Sequence, residues 1–136
     1  MYSDKCKVSS EQSQIKSYTD LKVWQYSHNL ALDILKLSKT TKKTNLNYEI
    51  WKQIIRSCFS VPANIVEGFH SHRGKTYISH LEIARGSAGE TQYWLLVLKD
   101  TGDISQKNQQ LLDAKYSEVI KMLSKIINVI NSKTNH

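Results

Sequence analysis

A chain of 136 residues and 15.7 kDa has the length of one domain and removes roughly two-thirds of its unfolded surface on folding, which excludes a cofactor domain joined to a separate substrate domain. Hydrophobic residues make up 40% and mean hydropathy is −0.46, and no apolar run nears the ~18 residues that cross a bilayer, so an integral membrane protein is excluded. Nineteen Lys and Arg against twelve Asp and Glu leave a formal charge of +7, which points to an anionic partner such as nucleic acid.

The segment Met1–Asp20 is polar, without the apolar core of a secretory signal, and a cytoplasmic location is expected. Residues 1–18 show neither helical nor strand periodicity and read as a disordered polar leader. Cys6 lies in that leader and Cys58 in an apolar helical pattern, so both are expected to be free thiols rather than a disulfide. One proline and five glycines suit a mostly helical chain.

The bundle domain is expected over residues 19–132, with 133–136 a tail. Thr19 or Asp20 can cap a first helix whose stripe is Leu21, Trp24, His28, Ala31 and Leu35, widened by Leu30, Ile34 and Leu37. It ends near Ser38, and the basic stretch Lys39–Asn47 is a connector. A second helix from about Leu46 carries Trp51, Ile54, Cys58, Val61 and Ile65 at bundle spacing, flanked by Ile50, Ile55, Phe59 and Val66. Pro62 should kink it without ending it, and Gly68 begins its stop, leaving Gly68–Gly74 as the second connector. The third helix is expected from Lys75 to Thr101 on Leu81, Ala84, Ala88, Thr91, Leu95 and Leu98. Gly102 is its C-cap, and Asp103 or Ser105 caps a fourth helix bearing Leu112, Tyr116, Val119, Leu123, Ile126 and Ile130, widened by Ile120 and Ile127. The fold class is therefore all-α, an antiparallel up-down four-helix bundle.

Charge is unevenly spread. Residues 21–66 carry seven bases against two acids and residues 101–136 five against three, whereas 1–20 and 67–100 balance. Lys52 and Arg56 lie one turn apart on the second helix, as Lys121 and Lys125 do on the fourth. Arg73 and Lys75 stand in the connector before the third helix, where free amides also favour phosphate. Lys52, Arg56, Arg73 and Lys75 are the candidate nucleic-acid contacts.

Sites for other chemistry fail on spacing. Gly74-Lys75-Thr76 lacks the glycine and the preceding strand of a phosphate-binding loop. His70, His72 and His80 with Glu67 lack the paired Glu-x-x-His motifs of a di-iron bundle. Glu67, Glu82 and Glu90 have no nucleophile or base beside them in the sequence. No catalytic residue, metal or cofactor is expected. Gly86 and Gly89, costing on the order of 1 kcal/mol each in a helix, suggest close approach of another helix, with Arg85 paired to Glu82 or Glu90 across it. Trp24, Trp51 and Trp94 read as core or subunit contacts.

The segments DLKVWQYSHNLALDILKL (Asp20–Leu37), RSCFSVPANIVEGF (Arg56–Phe69) and HLEIARGSAGE (His80–Glu90) resemble the four-helix bundle proteins encoded in intervening sequences of bacterial large-subunit rRNA genes. The resemblance covers about Asp20 to Ser132. It implies a left-handed bundle assembled into a ring-like homopentamer, with no established catalytic residue. A more distant resemblance, to the basic accessory protein of diversity-generating retroelements, implies binding to nucleic acid and a reverse transcriptase. Matching positions carry over as fold determinants: Trp24, Arg56, Pro62, Asn64, Glu67, Gly68, Arg73, Arg85, Gly86, Ser87 and Glu90. The sequence departs from the pattern at KTTKKTNLNYE (Lys39–Glu49), where the family has a Phe-Pro turn and an acidic residue.

The expectation is a non-enzymatic homo-oligomer that binds the phosphate backbone of RNA or DNA, most directly structured RNA, with no membrane partner. The alternatives are a protein-interaction scaffold and an accessory subunit to a reverse transcriptase. Apolar surface left over on the first and fourth helices, with Trp24 and Trp94 at its edges, is the expected subunit interface.

Overall fold

A computed structural model describes residues 15–71 and 74–134. Four helices follow a short 3-10 turn at Tyr18–Asp20: α1 (Lys22–Thr40), α2 (Asn45–Ser71), α3 (Gly74–Asp100) and α4 (Gln106–Thr134). Each packs on its neighbours in sequence, and α4 closes back on α1. This is the expected up-down four-helix bundle, and no strand occurs among the described residues.

The cores of α2 and α3 follow the expected stripes. Trp51, Ile54, Cys58, Val61 and Ile65 are buried, facing Leu81, Ala84, Ala88, Thr91, Leu95 and Leu98. From α4 come Leu112, Tyr116, Val119, Leu123 and Ile127, with Ile126 and Ile130 only partly buried. The face of α1 is rotated from its expected setting. Val23, Ser27, Leu30, Ala31, Ile34 and Ser38 are buried, while Leu21, Trp24, His28 and Leu35 lie at the edge, partly exposed. Small serines let α1 lie close to the bundle, and the bulky Trp24 instead stacks on His28 with ring centroids 4.7 Å apart.

The start of the fold also differs from expectation. Asp20 does not cap α1 but turns backward, its carboxylate accepting from the N–H groups of Lys16 at 2.9 Å and Ser17 at 3.1 Å. Those two bonds hold its carboxyl below the ordinary value. Tyr18 packs edge-on against Trp24 and His70, so this contact ties the end of the segment expected to be leader to the bundle. The rest of that segment, residues 1–14 with Cys6, lies outside the described residues.

α2 remains helical past Pro62 and runs to Ser71, so Gly68 does not stop it. Gly68 is buried instead, and a Cβ there would meet Tyr77 Cδ1 at 2.9 Å and His80 Cβ at 3.1 Å. The close helix approach expected at Gly86 thus occurs at Gly68. Gly86 and Gly89 have nothing within 4 Å of a Cβ position, because both point away from the α3 stripe. Gly102, at φ +82°, ends α3 as expected. Its N–H reaches Lys99 O at 3.0 Å and that of Asp103 reaches Leu98 O at 2.8 Å, the paired closure of a Schellman motif. Ser105 caps α4 by accepting from Asn108 N–H at 3.0 Å.

Candidate nucleic-acid interface

The departure between α1 and α2 has a defined structure. Thr44 Oγ1 accepts from Asn47 N–H at 3.0 Å and Asn47 Oδ1 accepts from Thr44 N–H at 2.8 Å, a reciprocal cap that uses Asn where Glu or Gln is usual. Buried Asn47 then donates through Nδ2 to Lys42 O and to Asp103 Oδ1, both at 2.9 Å. One side chain therefore joins the connector, the start of α2 and the α3–α4 turn.

That anchoring shapes an open groove of about 570 Å³ between the connector and the first turns of α2, lined by Ser38, Lys43, Tyr48, Glu49, Trp51, Lys52, Gln53, Ile55 and Arg56. Lys43 donates to the carbonyls of Ser38 and Thr41, and its ammonium lies 5.1 Å from the centre of the Trp51 ring. Trp51 is 2% exposed, and its indole N–H has no hydrogen-bond partner among the described residues. Tyr48 is 53% exposed. Lys52 reaches over its ring at 5.5 Å and meets Glu49 at 3.7 Å. Arg56 donates to Gln53 Oε1 at 3.0 Å. An exposed lysine–carboxylate pair of this kind is held weakly, by a few tenths of a kcal/mol. Lys52 can therefore exchange it for a phosphate at little cost.

The structure brings Lys52 and Arg56 together and separates them from Lys75. Ser71 ends α2 about 28 Å along the helix from Lys52, at 1.5 Å per residue, and exposed Lys75 follows in the first turn of α3. Arg73 lies outside the described residues. Lys43 and Tyr48 were not singled out from the sequence, although the basic connector was the available signal. A second basic strip runs along α4, where Lys121, Lys125 and Lys133 flank Ile120 and Val129.

The α2–α3 contact carries a polar seam that spacing alone concealed. Ser57 and Thr91 share a hydrogen bond at 2.8 Å, and Ser60 and Ser87 share one at 2.9 Å. His80 Nδ1 lies 3.3 Å from Asn64 Oδ1 and 3.5 Å from Glu67 Oε1. Asn64 Oδ1 is an acceptor, so the Nδ1–H tautomer donates to it, with the Glu67 carboxylate close by. A carboxylate and an imidazole thirteen positions apart thus meet across two helices. Arg85 does not pair with Glu82 or Glu90. It donates to Ser124 Oγ at 3.1 Å, tying α3 to α4, and Glu90 accepts from Trp94 Nε1 at 3.0 Å. Among the described residues no three His, Cys, Asp or Glu side chains converge as a metal site requires, and no helix is long and apolar enough to cross a membrane.

Comparison with known proteins agrees with this architecture. A crystal structure of a protein of unknown function from the S23 ribosomal protein family of Bacteroides thetaiotaomicron superposes with a TM-score of 0.70 and 32% identity, covering 77% of this chain and 97% of that one. No curated protein matches the chain. The family model described as 23S rRNA-intervening sequence protein matches residues 19–125, the whole of α1 to α3 and most of α4, and the chain belongs to that family.

Proposed function

We propose that this protein is a non-enzymatic, oligomeric RNA-binding protein that holds structured RNA through phosphate contacts at its basic surface. The observation that carries the reading is the groove beside α2, where Lys43, Lys52 and Arg56 outnumber Glu49 and share the lining with the exposed Tyr48. Membership in a family described by 23S rRNA intervening sequences makes RNA the ligand to test first. Contacts of this kind release counterions, so affinity falls with salt at a log–log slope of roughly −0.7 to −0.9 per neutralised phosphate.

Assembly belongs to the same proposal. Ile83 at 51%, Tyr93 at 56% and Leu96 at 41% exposure stand with open Gly86 on the outer face of α3, more apolar surface than a solvated helix leaves uncovered. This face, together with exposed Leu111 and Val129 on α4, is offered as the subunit contact, and it equally favours the second reading, a scaffold that docks a protein partner. In an oligomer every copy repeats the groove, and repetition raises a weak contact to measurable avidity.

Filter retention of labelled RNA at about 50 mM salt tests the binding, since phosphate contacts are strongest at low ionic strength. Lys52→Glu with Arg56→Glu should weaken retention of all sequences alike and flatten the salt slope. Lys75→Glu, at the other end of the bundle, should act separately. No retention of RNA or DNA by the unaltered protein removes the reading in favour of the scaffold. Light scattering that returns a single 15.7 kDa species removes the oligomer.

A further inference from the structure

We propose that the groove beside α2 accepts an unpaired nucleotide, with the base against Tyr48 and the phosphate between Lys52 and Arg56, so that the protein selects loops or single strands over duplex. The inference rests on the RNA-binding reading and narrows it to a ligand class.

The groove's charge is too small to hold RNA alone. Three cations less the Glu49 carboxylate leave a net two, and at a slope of about −0.7 per phosphate on a single strand one groove contributes only about −1.4 to −2. Something other than charge must add affinity, and Tyr48 is the group placed to do so. It stands half-exposed on a rigid helix, its backbone N–H tied to Thr44 O at 3.0 Å, within the first turns fixed by Asn47. Burying an aromatic ring in the core is favourable, yet this one is held at the rim of a concave surface with cations on one side. Bases stack on such rings whatever their identity.

Duplex RNA cannot use this arrangement. Its bases are stacked on one another, and its recognition runs through shape, 2′-hydroxyls and phosphates across a wide shallow groove. A recess bounded by one connector and one helix admits a base only where the base is splayed out. The Lys52 ammonium, now over the Tyr48 ring and near Glu49, is released to the phosphate of the nucleotide whose base replaces it. Glu49 opposes that phosphate and weakens binding.

Fluorescence anisotropy of the full chain with a short oligouridylate and with a blunt RNA duplex of equal charge tests the proposal at about 50 mM salt. The unaltered protein should bind oligouridylate more tightly than duplex. Tyr48→Ala should weaken oligouridylate binding by about tenfold and leave duplex binding unchanged, while Tyr48→Phe keeps the wild-type preference. Glu49→Gln should tighten binding to both, a gain that misfolding does not produce. If Tyr48→Ala changes nothing while Lys52→Glu with Arg56→Glu abolishes binding, the groove is a phosphate surface and the inference falls, though the RNA-binding reading stands. If the unaltered protein holds neither probe, both fall. If Tyr48→Ala removes binding to phosphatidylglycerol vesicles and leaves oligouridylate binding intact, the groove is a lipid-facing surface and the inference is overturned.

Discussion

Asn47 Nδ2 donates to Asp103 Oδ1 at 2.9 Å across 56 positions of sequence, clamping the α1–α2 connector to the α3–α4 turn. The same carboxylate accepts from Thr101 Oγ1 through Oδ2 at 2.6 Å, so both ends of the clamp are tied into caps. Every connection at that end of the bundle therefore depends on one buried amide. Asn47→Ala should cost about 2–3 kcal/mol, since it removes a cap and strands buried partners. Asn47→Asp keeps the cap acceptor but sets a second carboxylate against Asp103, and its deficit should shrink on acidification as either group takes a proton. Urea unfolding at neutral and acidic pH measures both, and an Asn47→Ala variant as stable as wild type refutes the clamp.

Gly68 lies where α3 leaves no room for a side chain on α2. Gly68→Ala should destabilise by about 1–2 kcal/mol although alanine is the better helix former by roughly 1 kcal/mol, because Tyr77 Cδ1 and His80 Cβ stand at 2.9 and 3.1 Å from the new methyl. The His80 Cβ is backbone-borne and cannot swing aside. Thermal unfolding reads the sign directly.

Gly86 should respond in the opposite direction. With open space above it, Gly86→Ala gains helix propensity and loses no packing within the chain, so unfolding at concentrations where the protein is monomeric should be later by about 0.5–1 kcal/mol. Gly86→Trp, added to the apolar face of α3, should shift the oligomer–monomer equilibrium seen by light scattering. Unchanged assembly in that variant places the interface elsewhere.

Alkaline pH should weaken the fold. Burial pushes the Cys58 thiol up to about 12, and burial likewise raises the Tyr116 phenol, whose hydroxyl has no partner among the described residues. The unfolded chain releases the thiol proton from about pH 9 while the folded chain retains it. The stabilisation is therefore complete below pH ~9 and declines as pH rises toward ~12. Cys58→Ala should show a shallower loss of unfolding free energy over that range. In a Cys6→Ser background, alkylation of Cys58 should proceed only at the rate of unfolding.

What the sequence by itself determined was whatever one helix settles locally. Apolar residues three and four apart in α2 and α3 define single narrow stripes, and Gly102 followed by Asp103 and Ser105 carries its own stop and start, so these features were legible in the order of residues. In α1 the apolar arc is wide enough to serve two settings. Only contact with α2 and α4 chose the one that buries Ser27 and Ser38 and leaves Trp24 at the rim, because small side chains allow the helices to approach. The roles of Gly68 and Gly86 were decided the same way, since identical backbones differ only in what stands across from them. Lys52 and Arg56 were visible as a helical pair, with Glu49 and Tyr48 three and four positions before Lys52 on the same helix, but Lys43 joined them through the Thr44–Asn47 cap and its bond to Asp103. The Asn47–Asp103 bond joins residues that no local pattern relates, and the separation of Lys75 from Lys52 follows from the length of α2 lying between them.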